Sequence, residues 1–213
     1  MADKHRSAAQ LYLVTPQFDD RTEFAALLDR VLQSAPVAAL LIAPRSQGDA
    51  SDSYQNDCKL LVPVAQKHGT AALTLNDTRI SGRAGADGIH LTGDLTELKD
   101  VIGRFQPKRI VGAGAIHDRH DAMEKGEALP DYLLFGNAFA AQTDDHDTVL
   151  ELAAWWADLF EIPCVAMAGG AAEDVENAVA TGADFIGLNS FVWLHQAGPE
   201  AAIKAAHKLL QNG

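Results

Sequence analysis

The sequence predicts a (β/α)₈ TIM barrel built as a single domain over residues 1–213. Eight short apolar segments are each followed by a longer polar or amphipathic segment, which indicates eight strand–helix units. The short segments are apolar throughout, which is typical of strands buried on both faces of a parallel sheet. An open doubly wound sheet is the main alternative, but it would usually need fewer than eight units.

The first half of the chain begins with a strand at 11–15, which Pro16 ends because proline has no N–H for the sheet ladder. The helix predicted at 20–33 has its apolar residues on one face. Gly69 suits the C-terminal cap of a second helix. The remaining elements of this half are strands at 37–42, 71–75 and 88–91 and helices at 53–68, 79–84 and 95–105.

The second half repeats the pattern of strands and helices. It also contains a sequence motif, here called the internal echo, that is similar to one in the first half. Residues 85–91 read GADGIHL and residues 182–188 read GADFIGL, with a looser copy at 130–136. Each copy leads through an Asp into a strand, so Asp87, Asp131 and Asp184 are expected at the bottom of the barrel, where they serve stability. The elements are strands at 109–112, 132–135, 164–168 and 185–189 and helices at 117–126, 148–160, 172–181 and 199–211.

Composition excludes several classes of protein. The formal net charge of −12 disfavours nucleic acid and anionic membranes as partners. No run of about 18 apolar residues predicts a membrane helix, and the N-terminus does not resemble a signal peptide. Cys58 and Cys164 are far apart in sequence, which favours free thiols over a disulfide framework or zinc site. We therefore expect a cytoplasmic protein.

Small and polar residues follow the last two predicted strands. Gly169 and Gly170 come after the seventh strand, and Asn189 and Ser190 come after the eighth. Glycine lets the backbone approach a ligand closely, and a helix N-terminus attracts anions. Because barrels often build a phosphate site from these two loops, the sequence predicts that small phosphorylated substrates bind here.

Carboxylates follow the third and fourth strands. Asn76 and Asp77 end the third strand, and Asp94 follows the fourth, so the two carboxylates could share Mg²⁺ beside a substrate phosphate. The alternative is that each Asp caps the next helix. His90 lies within the fourth strand and is expected to be packed inside the barrel. His117, after the fifth strand, is either an acid–base group or a solvent-facing residue at a helix start.

The motifs LYLVT, LND, GADGIHL, DYLLFG, AMAGG and GADFIGLNS, which span nearly the whole chain, together resemble the thiamine phosphate synthase family and the related thiazole tautomerases. The resemblance implies a (β/α)₈ enzyme that joins a pyrimidine pyrophosphate to a thiazole phosphate and releases pyrophosphate, with Mg²⁺ holding the leaving group. It further implies that Asn76 contacts the pyrophosphate and that Asp77 and Asp94 bind Mg²⁺. The thiazole phosphate would be held by Gly169, Gly170 and Ser190.

The chain departs from the family pattern at several positions. The family's Gln-x-Arg-x-Lys stretch after the second strand is absent, with Arg45 as the replacement for the lysine. Gly114 stands where the family has Ser, and the loop at 140–145 has no Lys. Three functions stay open: a synthase in which Arg45 or Arg79 supplies charge, a tautomerase in which His117 shuttles a proton, or a non-catalytic binder of a phosphorylated ligand.

A homodimer is also compatible with the sequence. Trp155, Trp156 and Trp193 could mark an interface between two copies. Packing within one chain explains these side chains equally well.

Overall fold

The computed structural model describes residues 8–45, 51–138 and 145–212. Within these residues, eight parallel strands form a closed barrel in sequence order, and the last strand pairs with the first. Helices follow the strands on the outside of the barrel. The predicted (β/α)₈ fold is confirmed.

The strands form the wall of the barrel, and each has four or five residues. They are β1 Gln10–Val14, β2 Ala39–Ile42, β3 Ala71–Leu75, β4 Gly88–Leu91, β5 Ile110–Ala113, β6 Tyr132–Phe135, β7 Cys164–Met167 and β8 Phe185–Leu188. The described helices are α1 Arg21–Ser34, α2 Ser51–Lys67, α3 Thr78–Ala84, α4 Leu95–Phe105, α5 Arg119–Glu127, α6 His146–Leu159, α7 Ala172–Ala180, α8 Ser190–Trp193 and α9 Pro199–Asn212. None of the helices in this described part of the chain is long and apolar enough to cross a membrane.

The predicted bounds agree closely with the structure except at a few ends. The predicted fifth helix began at residue 117, whereas α5 begins at Arg119 because the Asp118 carboxylate caps it by accepting a hydrogen bond from the Asp121 N–H. The short helix α8 was not predicted. Its four residues are too few to show helical periodicity in the sequence.

The apolar core has two parts, one inside the barrel and one between the barrel and its helices. The outer part is the larger and contains the apolar faces of the long helices. The inner part is filled by alternate strand residues, which point inward. Its buried members are Tyr12, Val14, Leu41, Ala43, Leu73, Tyr132, Leu134, Ala138, Val165 and Met167.

The three Asp residues of the internal echo have the same structural role. Asp87 accepts a hydrogen bond from the Ala72 N–H. Asp131 accepts from the Val111 N–H, the second residue of β5, and Asp184 accepts from the Cys164 N–H, the first residue of β7. Each carboxylate thereby pairs a backbone donor at the bottom of the barrel, so the predicted role in stability is confirmed.

The three tryptophans make contacts within the chain. Trp156 is buried and stacks on Phe160, and Trp155 packs edge-on against Phe160. The indole N–H of Trp193 donates to the carbonyl of Val14. These contacts account for the tryptophans, and a homodimer stays a prediction that does not rest on them.

A buried carboxylate on α2 forms ion pairs with an arginine that follows β2 and with another on α1. Asp57 is 1% exposed, and its carboxylate lies 2.8 Å from Nε of Arg45 and 3.2 Å from Nε of Arg21. The Arg45 guanidinium also donates to Oγ of Ser53 and to the carbonyl of Asp19. The Asp57 carboxylate is therefore compensated by two cations, as a buried charge requires.

We predict that Asp131→Ala lowers the free energy of unfolding by about 1–3 kcal/mol, because the Val111 N–H is left without its acceptor. Glu127→Ala, which removes an exposed carboxylate from α5, is the control and should change it by less than about 0.5 kcal/mol. Urea denaturation measures both. Equal losses would contradict the role assigned to Asp131.

We predict that Asp57→Ala costs about 3 kcal/mol of folding stability, because it leaves the guanidinium groups of Arg45 and Arg21 without their buried counter-charge. The control is Asp100→Ala, which breaks an exposed pair with Arg104 one helical turn away and should cost about 0.3–0.5 kcal/mol. Thermal and urea unfolding of the two variants would show the difference. A cost at Asp57 as small as at Asp100 would refute it.

Candidate functional site

The carboxyl ends of β3 and β4 are joined by a pair of side-chain hydrogen bonds. Asn76 Nδ2 donates to Oγ1 of Thr92, and the Thr92 N–H donates back to Oδ1 of Asn76, both at 2.8 Å. Asn76 has a φ of 55°, a left-handed conformation that asparagine tolerates better than most residues. The bonds hold the two strand ends side by side.

The predicted metal ligands lie on either side of this connection, and both are helix caps. Oδ1 of Asp77 accepts from the N–H groups of Arg79 and Ile80 at the start of α3. Oδ1 of Asp94 accepts from the Glu97 N–H at the start of α4. The capping role predicted as the alternative is therefore real, and each cap occupies only one oxygen of its carboxylate.

These carboxylates are compatible with Mg²⁺ but do not form a complete metal site. In the ranges that the structure describes, no cluster of three or more His, Cys, Asp or Glu side chains could hold a metal ion. Mg²⁺ is commonly bound by one or two carboxylates together with water and substrate phosphate. Two carboxylates that each have an oxygen not used in capping fit this kind of site.

The ends of β7 and β8 lie close together on another part of the rim. A Cβ added to Gly170 would lie 3.4 Å from Oγ of Ser190, so the two loops touch there. The Asn189 amide donates to the carbonyl of Ala138. A Cβ on Gly169 would meet the Asp174 carboxylate, which accepts from the Ala171 N–H. The four predicted phosphate-binding residues are thus brought together.

The N-terminus of α7 presents backbone N–H groups beside an acidic first turn, in which the Asp174 carboxylate accepts the Ala171 N–H. Its N-cap residue, Ala171, has no side-chain oxygen to satisfy the first N–H groups of the helix. Unpaired N–H groups and the positive end of the helix dipole favour a phosphate at such a position. A groove of about 610 Å³ continues outward from here, between Gly170, His195 and Lys208.

Arg45 follows β2 but is held against α2. Its side chain is 22% exposed and is engaged by Asp57, Ser53 and the carbonyl of Asp19. It also lies over the ring of Phe18, with 5.4 Å from Cζ to the ring centroid. The positive charge of Arg45 is therefore already paired with the Asp57 carboxylate, which has a structural role.

His117 lies in the loop between β5 and α5 and is exposed. Its backbone N–H donates to the Asp121 carboxylate. Lys125 reaches the same loop, where its ammonium donates to the carbonyls of Gly114 and Ala115. Burial lowers the pKa of Lys125. Lys125 therefore orders the backbone of this loop.

His90 points into the barrel, as predicted, and belongs to a polar chain. Its Nδ1 lies 2.9 Å from the Tyr132 hydroxyl, which in turn lies 2.9 Å from the Tyr12 hydroxyl. The three residues are 1–5% exposed. Burial lowers the pKa of His90 to about 3, so its imidazole is neutral at physiological pH.

Several residues that shape the site were not predicted from the sequence. Tyr12 and Tyr132 occupy inward positions of their strands, and period-two counting from the strand centres could have indicated this. Asp57 lies on the apolar face of α2, so a lone acid on that face was the available signal. The stretch at 140–145, in which we expected a family lysine to be missing, lies outside the described residues except for residue 145.

Known proteins are similar in sequence to this chain over nearly its whole length. The family model for thiamine monophosphate synthase matches residues 11–192. A thiamine-phosphate synthase of Hyphomonas neptunium is 34% identical over 213 residues, covering 97% of this chain and 96% of that protein. One of Rhodospirillum centenum is 32% identical over 210 residues, covering 95% and 98%.

A solved structure shows the same fold. The thiamine phosphate pyrophosphorylase from Pyrococcus furiosus superposes with a TM-score of 0.77, covering 97% of this chain and 98% of that one at 19% identity. Because the family model and two relatives above 30% identity extend over most of the sequence, the chain belongs to the thiamine monophosphate synthase family.

Proposed function

We propose that this chain is a thiamine-phosphate synthase, a transferase of thiamine biosynthesis. It joins a hydroxymethylpyrimidine pyrophosphate to a thiazole phosphate and releases pyrophosphate. The observation that carries the proposal is that one rim of the barrel has two carboxylates after β3 and β4 and two adjoining small-residue loops after β7 and β8. The reaction needs one pyrophosphate and one phosphate to be held at the same time.

The thiazole phosphate binds between the loops after β7 and β8. Gly169 and Gly170 offer backbone without side chains, and Ser190 offers a hydroxyl next to Gly170. Asn189 supports this loop through its bond to Ala138. Backbone N–H groups at the N-terminus of α7 supply donors to the phosphate oxygens.

The pyrophosphate binds at the ends of β3 and β4. Asp77 and Asp94 would hold Mg²⁺ through the carboxylate oxygens that the caps leave unused, and Asn76 lies next to them. Bound Mg²⁺ supplies positive charge that neutralises the leaving pyrophosphate. The two substrates therefore approach the barrel mouth from different sides of the rim.

The chemistry requires positioning more than proton transfer. The bond between the pyrimidine methylene carbon and the pyrophosphate oxygen breaks, and its electron pair leaves with pyrophosphate. The thiazole nitrogen then donates its lone pair to the methylene carbon, so no group must accept a proton. The protein accelerates such a step by holding the carbon and nitrogen in line and by stabilising the departing charge.

Three further residues offer polar groups on the pyrophosphate side. Arg45 and Arg21 together outweigh the Asp57 carboxylate by one positive charge. His117 provides an exposed imidazole that can donate a hydrogen bond to the released pyrophosphate.

The reaction takes place in the cytoplasm, a compartment in which Cys58 and Cys164 stay free thiols.

We predict that Asp77→Asn lowers turnover roughly 10- to 150-fold, the effect of losing one charge-assisted contact of about 1.5–3 kcal/mol. Asparagine keeps an oxygen for capping α3, so the fold should survive. Thiamine phosphate formation with Mg²⁺ and both substrates, followed by fluorescence after oxidation, measures the change.

Asp20→Asn is the matched control. Asp20 caps α1 with one oxygen that accepts two N–H groups, in the same pattern as Asp77 on α3, and its substitution should leave turnover unchanged. Absence of product from the folded, unmodified protein, with thiazole phosphate still bound, would reject the synthase. The tautomerase or a non-catalytic binder would then remain.

We predict that Gly170→Val raises KM for the thiazole phosphate about tenfold and leaves KM for the pyrimidine pyrophosphate unchanged. The valine side chain would enter the space between Gly170 and Ser190. Gly103→Val, at an exposed position of α4 with open space around it, is the control. Steady-state kinetics with each substrate varied in turn would decide, and an unchanged thiazole KM would rule out this phosphate cradle.

A further inference from the structure

The barrel interior contains a polar chain in an otherwise apolar cluster. Tyr12, His90 and Tyr132 come from β1, β4 and β6, and their hydroxyl and imidazole groups are joined at 2.9 Å at both steps. The rings of His90 and Tyr132 are stacked, 5.6 Å between centroids with 15° between planes. The position of the imidazole is therefore set by both stacking and hydrogen bonding.

Two glycines on β5 and just beyond it leave room for this chain. A Cβ on Gly112 would fall 2.0 Å from Cζ of Tyr132, which is much closer than a van der Waals contact. A Cβ on Gly114 would fall 2.5 Å from Nε2 of His90. Since Gly114 follows β5 at its carboxyl end, Nε2 is the atom of the chain that faces the mouth of the barrel.

The direction of the hydrogen bonds follows from counting protons. Among the described residues, the Tyr12 hydroxyl has the Tyr132 hydroxyl as its only hydrogen-bond partner. A buried O–H without an acceptor is costly, so Tyr12 donates to Tyr132. Tyr132 then uses its own proton to donate to Nδ1 of His90. The proton of the neutral imidazole is left on Nε2, where it faces the mouth.

We propose that the Nε2–H of His90 donates a hydrogen bond to a ring nitrogen of the pyrimidine substrate, with Tyr132 and Tyr12 fixing the tautomer. This inference rests on the proposed function. A neutral donor suits a neutral acceptor, whereas phosphate groups are served by cations and helix N-termini. The thiazole nitrogen is excluded because a hydrogen bond would occupy the lone pair that must attack the methylene carbon.

The position of His90 agrees with this choice of ring. It lies on β4, the strand whose end carries Thr92 and Asp94, and its carbonyl accepts the Asn76 N–H. The pyrophosphate is proposed to bind at these residues, and the pyrimidine ring is attached to it through a single methylene. His90 is thus a substrate-contacting residue, and Tyr132 is a positioning residue that acts through it.

The first test is nitrogen NMR of the unmodified protein with isotope-labelled histidine. The His90 signals should show a proton on Nε2 and none on Nδ1. Addition of hydroxymethylpyrimidine alone should shift the Nε2–H resonance. A proton on Nδ1, or no shift at a saturating concentration of the pyrimidine, would overturn the inference.

The second test is kinetic. Tyr132→Phe keeps the stacked ring but removes the hydroxyl that fixes the tautomer, and His90→Phe removes the donor. Both should raise KM for the pyrimidine pyrophosphate about tenfold, the cost of leaving one acceptor unpaired, with KM for the thiazole phosphate unchanged. Equal changes in the two KM values would mean that the chain is merely structural.

Thr70→Val is the matched control. Thr70 lies just before β3, and its buried hydroxyl donates to the carbonyl of Val37. Loss of this hydroxyl affects stability without changing the barrel mouth. Should His90→Phe fail to fold, Tyr132→Phe and the tautomer measurement still decide. A protein that makes no thiamine phosphate but shows the expected tautomer and pyrimidine shift would fail the proposed function while supporting the pyrimidine contact.

Discussion

Closure of the parallel sheet is the constraint on which the rest of the structure depends. The pairing of β1 with β8 removes the two edges that an open sheet would leave, and it brings eight carboxyl ends to one rim. Every residue of the candidate site lies at or near that rim. The Asp residues at the opposite end hold strand N–H groups instead, so stability and ligand binding are divided between the two ends of the barrel.

The interior of the barrel combines apolar filling with one polar chain. Glycines at 112 and 114 and the large side chains of Tyr132 and His90 complement each other in volume, as close packing demands. A larger residue on β5 would displace the ring of Tyr132. Gly112 on β5 and Gly114 just beyond it are therefore explained by packing in the core, in addition to any approach of a ligand.

Charge is distributed unevenly around the rim. Asp77 and Asp94 lie at the ends of β3 and β4, while the loops after β7 and β8 present backbone and hydroxyl groups. Arg45 is bound to Asp57, which is almost fully buried. Its guanidinium thus has a structural role as well as any role toward a substrate.

The sequence by itself determined the number of units, the parallel barrel, the family and the residues that follow each strand. These properties depend on local hydrophobic patterns and on motifs read along the chain. The tertiary structure alone decided which side chains meet. Asn76 pairs with Thr92, Arg45 with Asp57 and His90 with Tyr132, partners that are 16, 12 and 42 residues apart. Such contacts are created by barrel closure and by the inward or outward direction of each strand residue, which local periodicity does not specify.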